Sequence, residues 1–197
     1  MAAKARMTWV TKPENAIQFK VTLRDIKPPI WRRVVLPDNC SLGQLHDVIQ
    51  VAMGWHNCHM HTFRIDGVFY SSKQMAEMDD MGMGMERDDL TLLRNIAGRP
   101  KLKFIYEYDL GDSWVHEIVV EKILPIDPLV KHPICLAGAR ACPPEDCGSI
   151  PGYCDILAAL KASKKTAEQK ELIEWLEGDF DPEHFDITEV NKQLAAG

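Results

Sequence analysis

The stretch "AMGWHNCHMH" (52–61) places His56, Cys58, His59 and His61 within six positions. Imidazole nitrogens and thiolates are the donors that zinc and its transition-series neighbours prefer. His59 and His61 stand two apart, so on a strand they share a face and can chelate. The same face continues through Phe63 and Ile65. The pair therefore reads first as the polar edge of a core, hydrogen-bonded to backbone, and only second as a chelate. His56 and Cys58 read as linker, and Trp55 as an aromatic anchor.

Two loops carry further donors. In "DLGDSWVH" (109–116), Asp109, Asp112 and His116 can converge at a hairpin tip. Such a carboxylate–imidazole set suits a divalent ion or general-base work, and a metal-dependent hydrolase is the enzymatic reading. The opposing reading is local. Asp112 and Ser113 serve the turn through side-chain–backbone hydrogen bonds, and His116 is a satisfied core residue. In "ACPPEDCG" (141–148), Glu145 and Asp146 add acids to the same surface if the two loops are neighbours.

Cys135, Cys142, Cys147 and Cys154 have the spacing C-x6-C-x4-C-x6-C. Zinc knuckles usually close over two to four residues, so only Cys142 and Cys147 approach the pattern. The alternatives are a rigid Pro143-Pro144 turn with packed thiols, or a Cys147 thiol activated by a facing His116. The ligand-binding candidates are thus Asp109, Asp112, Trp114, His116, Glu145, Asp146 and Tyr153. The metal candidates are Cys142, Cys147, His116, His59 and His61, with zinc or another divalent ion as the cofactor. Met75, Met78, Met81, Met83 and Met85 resemble soft-ion spacing, and read more simply as a flexible loop or adaptable surface. No phosphate loop, nucleophile elbow or dinucleotide fingerprint is present.

The elements that must position these groups follow from periodicity. "AIQFKVTLRDI" (16–26) alternates, with Ile17, Phe19, Val21 and Leu23 on one face, and "IWRRVVLP" (30–37) returns from it. Residues 41–54 read as a helix, with Ser41 and Gln44 as capping box and Gly54 as stop. Residues 59–70 alternate again around an Asp66-Gly67 turn. Residues 71–100 read as a mobile, acidic, methionine-rich excursion with a short helix near its end. Residues 101–124 read as a hairpin with a three-residue turn, Gly111-Asp112-Ser113. That turn puts Phe104, Tyr106, Tyr108, Leu110, Trp114, His116, Ile118 and Val120 on one buried face. Residues 133–153 read as a loop. Helices follow over 154–163, 166–178 and 186–196, with Thr166/Gln169 and Asp186 as caps and Gly178 as a stop. The expected fold is α+β: a mixed sheet on a central helix, β-grasp-like, in strand–strand–helix–strand order, with C-terminal helices. Residues 1–15 are an N-terminal extension, 16–197 form one domain, and 153–197 are its helical part.

Bulk properties narrow the function classes. The chain has 197 residues, 46% apolar and 26% charged, with formal net charge −6. Net acidity disfavours nucleic acid as a partner, because phosphate binding needs clustered cations. The one basic cluster, Lys20, Arg24, Lys27, Arg32 and Arg33, reads as a solvated face of paired strands. No run of about 18 apolar residues exists, so no membrane span is expected. The N-terminus lacks the apolar core of a signal peptide. The expectation is a cytoplasmic protein whose six cysteines are thiols, with a protein or small-molecule partner.

Five motifs in order carry a family resemblance: "PIWRRVVLP", "SLGQLHDVIQVAMGWHNCHMHTF", "YEYDLGDSWVHEIVVE", "RACPPEDCGSIPGY" and "DFDPEHFDITEVN". Together they resemble the plasmid pRiA4b ORF-3-like family over residues 16–193. This chain departs from the family pattern at Gly148-Ser149, where a glycine pair is common, and in its additional Cys40, Cys58 and Cys154. The resemblance implies an association with mobile elements, since members carry resolvase-like or transposon-passenger labels, and it implies no established chemistry. It is the only support for a DNA-associated role. A serine resolvase would also bring an N-terminal catalytic strand and a C-terminal basic helix-turn-helix, and neither pattern is present.

Overall fold

The first two strands form where the sequence alternates: β1 (Asn15–Leu23) pairs antiparallel with β2 (Trp31–Pro37). Ile17, Phe19, Val21 and Leu23 are buried on one face, as period-two side chains must be. α1 (Leu42–Met53) begins at Ser41, whose hydroxyl accepts from Gln44 N while Gln44 Oε1 accepts from Ser41 N. It ends at Gly54, which takes the left-handed conformation (φ 96°) that a side chain would resist. Then come β3 (His61–Ile65), β4 (Val68–Ser71), α2 (Lys73–Glu77), β5 (Glu86–Arg87) and α3 (Leu93–Ile96). They are followed by β6 (Lys103–Tyr108), β7 (Trp114–Pro125), β8 (Ile134–Ala139), α4 (Ser149–Lys161), α5 (Ala167–Trp175) and α6 (Ile187–Ala196). The computed structural model describes residues 12–78, 82, 84–127, 132–176 and 179–196. Gly178, Met81 and Met83 lie outside the described residues.

The eight strands form one mixed sheet in the order β5-β4-β3-β6-β7-β1-β2-β8, with only β4–β5 parallel. The buried stripe of α1 joins the inner-face aromatics in one core. The α+β expectation holds, with helices against a mixed sheet. The strand after α1 does not close against β1, however. The β6–β7 hairpin stands between them, because β7 offers β1 a nine-residue antiparallel partner. No helix among the described residues is long and apolar enough to cross a membrane.

Four local expectations change. Tyr108 pairs with Trp114, so the hairpin loop spans five residues, 109–113, rather than three. The buried face is the expected one except for Leu110, which sits in the loop and is 39% exposed. Residues 134–139 are a strand, not a loop. β8 borders β2, and the Asn191 side chain of α6 both donates to and accepts from the Cys135 backbone, covering that edge. Residues 85–97 are docked rather than mobile. Leu93 N donates to Cys40 O, Arg94 N donates to Asp38 O, and Asp88 is 3% exposed. Finally, Arg32 does not belong to a solvated basic face. It is buried, and its guanidinium donates to four backbone carbonyls, whereas Arg33 pairs outside with Glu121 at 2.6 Å.

Candidate functional site

Three segments meet where α1 ends: the 55–59 linker, the hairpin tip and the Cys/Pro loop. Trp55 is buried and donates from Nε1 to Pro143 O at 3.1 Å. His56 N donates to Glu145 Oε1 at 2.9 Å, and the Tyr108 hydroxyl donates to the same oxygen at 3.0 Å. The Tyr108 oxygen also accepts from Cys58 N. On the hairpin side, Asp109 adopts φ 54° and its Oδ1 accepts from Gly111 N and Asp112 N, as Asx-type turns do. Asp112 reaches across to the other loop, where its Oδ2 accepts from Gly148 N at 3.1 Å.

The helix that carries the Cys/Pro loop starts earlier than its composition suggests. α4 begins at Ser149, because a proline in the first turn removes only an N–H that has no helical partner. A Cβ at Gly152 would stand 1.8 Å from the Cys147 carbonyl oxygen. Gly152→Ala is therefore expected to cost about 3 kcal/mol through overpacking against backbone that has no rotamer to change. Urea unfolding measures this, and an unchanged midpoint would contradict the packing described.

At the centre of the three segments lies His59. Its Nε2 is 3.1 Å from Asp146 Oδ1, 3.7 Å from Asp109 Oδ2 and 3.8 Å from Glu145 Oε2. None of these approaches has hydrogen-bond geometry, and Nε2 and Glu145 Oε2 are buried without a partner. Two sets of donor atoms lie within 4.8 Å of one another, and both contain His59: one with Asp109 and Asp146, the other with Cys58 and Glu145. Glu145 also lines an apolar cleft of about 720 Å³ with Trp55, Pro143, Trp175, Phe185 and Val190. On the other side, His59 and Cys58 border a polar cavity of about 700 Å³ that reaches Lys73 and His61.

The remaining candidates lie elsewhere. His116 is fully buried, edge-on to Trp55 with ring centroids 5.3 Å apart. Its ring faces the Tyr106 and Trp114 backbone, yet neither nitrogen reaches hydrogen-bond geometry, and burial drives its pKa down to about 3. Trp114 is fully buried beneath the hairpin, and Tyr153 is fully buried on α4. Cys142 and Cys147 are buried, which raises both thiol pKa values, that of Cys147 to about 12. His61 bonds Asp88 at 2.7 Å and stacks on His46, with ring centroids 3.5 Å apart. Among the described residues, no set of three or more donor atoms includes Asp112, His116, Cys142, Cys147 or His61. The structure thus joins Asp109, Glu145 and Asp146 with His59 and adds Cys58, which reads from sequence only as linker. His46 also escapes the sequence reading, and its one signal is a polar side chain inside the apolar stripe of α1.

The architecture is that of an α+β domain, a helix-backed mixed sheet with an acid-lined loop seam around one imidazole. The chain belongs to the plasmid pRiA4b ORF-3-like protein family, whose model matches residues 15–189. It is 33% identical over 181 residues to the uncharacterized protein y4hQ of Sinorhizobium fredii, covering 91% of each chain. It also resembles the crystal structure of a protein of unknown function from Methanosarcina mazei Go1. That similarity has a TM-score of 0.78 and 33% identity, covering 90% of this chain and 98% of the other.

Proposed function

We propose that this chain is a binding or accessory domain whose ligand surface is the seam between the 109–116 hairpin tip and the 142–153 loop, and that its ligand carries positive charge. One observation carries the reading: three carboxylates from two loops surround a single buried imidazole nitrogen. A lone imidazolium can neutralise one of three negative charges, so the seam favours a further cation. The cleft beside Glu145 offers apolar room to a ligand larger than an ion. The net charge of −6 supports a cationic ligand over nucleic acid. The hydrolase reading loses support, because Asp112 is held by Gly148 N and His116 is walled into the core. A cytoplasmic setting fits the six unpaired thiols, and an association with mobile elements rests on the plasmid in the family's name.

The test is a melting-temperature panel. Manganese, zinc, spermidine and an arginine-rich peptide are compared with phosphate and sulfate, for the natural chain and the double variant Asp109→Asn, Asp146→Asn. Asparagine keeps the Oδ1 acceptor and tolerates positive φ, so the loops retain their shape. At least one cation should raise the melting temperature of the natural chain only. Stabilisation by anions alone, or an equal response in the double variant, refutes the proposal.

A further inference from the structure

The seam's donor chemistry narrows the cation, resting on the reading above. We infer that it is one divalent transition-metal ion of the manganese–iron–zinc class, held by His59 Nε2, Asp109 Oδ2 and Asp146 Oδ1.

The first support is charge. Asp109 and Asp146 contribute two negative charges and a neutral imidazole none, so a divalent ion leaves that set balanced. The second is spacing. Donors at about 2.1 Å from a tetrahedral ion stand about 3.4 Å apart. The observed separations from His59 Nε2, 3.1 and 3.7 Å, bracket that value, and all three donors lie within 4.8 Å of one another. The third is availability. The Asp109 side chain is 9% exposed, and its hairpin hydrogen bonds both go to Oδ1, which leaves Oδ2 turned towards His59. His59 Nε2 is likewise buried and makes no hydrogen bond, with Asp146 Oδ1 its nearest carboxylate oxygen at 3.1 Å, an arrangement that costs free energy until a cation fills it.

The donor types select among ions. One imidazole with two carboxylates on one side is the arrangement that divalent manganese, iron and zinc accept with positions left open. Calcium wants six to eight oxygens and magnesium keeps several waters, so neither gains from the imidazole. The competing set, Cys58 with His59 and Glu145, draws on the same imidazole and offers one carboxylate where the first set offers two. Glu145 Oε2, orphaned 3.8 Å from that nitrogen, is placed to accept a hydrogen bond from water on the bound ion.

Untagged, chelator-treated protein is titrated by calorimetry with manganese, zinc, calcium and magnesium, as natural chain, Asp146→Asn, His59→Gln and Cys58→Ser. The expected result is one manganese or zinc ion per chain, bound about tenfold or more tightly than calcium or magnesium. Asp146→Asn and His59→Gln should each weaken it by about tenfold or more, and Cys58→Ser should leave it unchanged. Circular dichroism of each variant separates lost ligation from lost fold. The inference fails if calcium binds as well as manganese and zinc, if no ion binds stoichiometrically, or if Cys58→Ser abolishes binding while Asp146→Asn does not. Organic cations that still stabilise the natural chain would then leave the broader reading standing, and no response to any cation would end both.

Discussion

Acidification from pH 6.5 towards pH 4 is expected to lower folding stability by roughly 1 kcal/mol per pH unit, because two buried histidines outweigh one buried carboxyl, that of Asp47. His116 is fully buried and His46 is 4% exposed. Burial drives both from 6.5 down to about 3, and the neighbouring His61 lowers His46 further against the Asn57 hydrogen bond that raises it. In that window Asp47, which burial raises to about 6, gives the folded chain one proton more, while the two histidines give the unfolded chain two, a net of one. The contribution is therefore complete above pH 6.5 and is lost as pH falls towards 3. By pH 4 the net loss reaches about 4 kcal/mol, a large part of the whole stability of an ordinary domain. Urea unfolding at pH 7, 6, 5 and 4.5 measures the slope. His116→Leu should remove most of it, since His46 and Asp47 then nearly cancel. The same variant should cost little at pH 7, because both ring nitrogens lack partners and shape alone is being replaced. A flat profile between pH 6.5 and 4.5 would contradict the burial of both rings as neutral imidazoles.

Arg32→Met is expected to cost about 4 kcal/mol. The Arg32 guanidinium donates to Ala52 O at 2.6 Å, Trp31 and Ala139 O at 2.9 Å, and Arg140 O at 2.8 Å. It also lies over the Phe185 ring, 4.2 Å from the centroid. Two effects oppose each other. Desolvation of the buried cation lowers its pKa and would be relieved by methionine. Four carbonyls, among them one near the C-terminus of α1 where cations are favoured, would be left without their donor. The short distances favour the second effect. Lysine should recover less than half of the loss, since it lacks the planar fork. A loss below about 1 kcal/mol in urea unfolding would show that desolvation wins. The clamp matters to the seam as well, because it ties the end of α1 to the start of the Cys/Pro loop, and both flank His59.

The sequence made the short-range features legible and left the long-range ones hidden. Ser41, Gln44 and Gly54 bound α1 as expected because capping is decided within one turn. The inner faces of β1, β6 and β7 were readable because alternation is local. The hairpin register was not: Asp109 turns into the left-handed region two residues before the expected loop start, and its own carboxylate caps the turn. β8 is not legible locally, because its small residues, "ICLAGA", carry no alternation, and it is held by β2 and Asn191 far away in sequence. The docking of Asp88 depends on His61, 27 residues distant, and no local pattern announces it. At the seam, the residue types of Asp109, Glu145, Asp146 and His59 pointed to ligation. Their meeting depends on β3 lying beside β6 and on Gly148 donating to Asp112, which spacing along the chain does not encode.

The most direct measurement is anomalous diffraction from crystals of the untagged protein grown with manganese or zinc, collected at the metal's absorption edge. The account predicts one strong peak per chain about 2.1 Å from His59 Nε2, within bonding distance of Asp109 and Asp146. A peak confined to the Cys142–Cys147 loop or to the His46–His61 stack, or no peak at full metal loading, would contradict it.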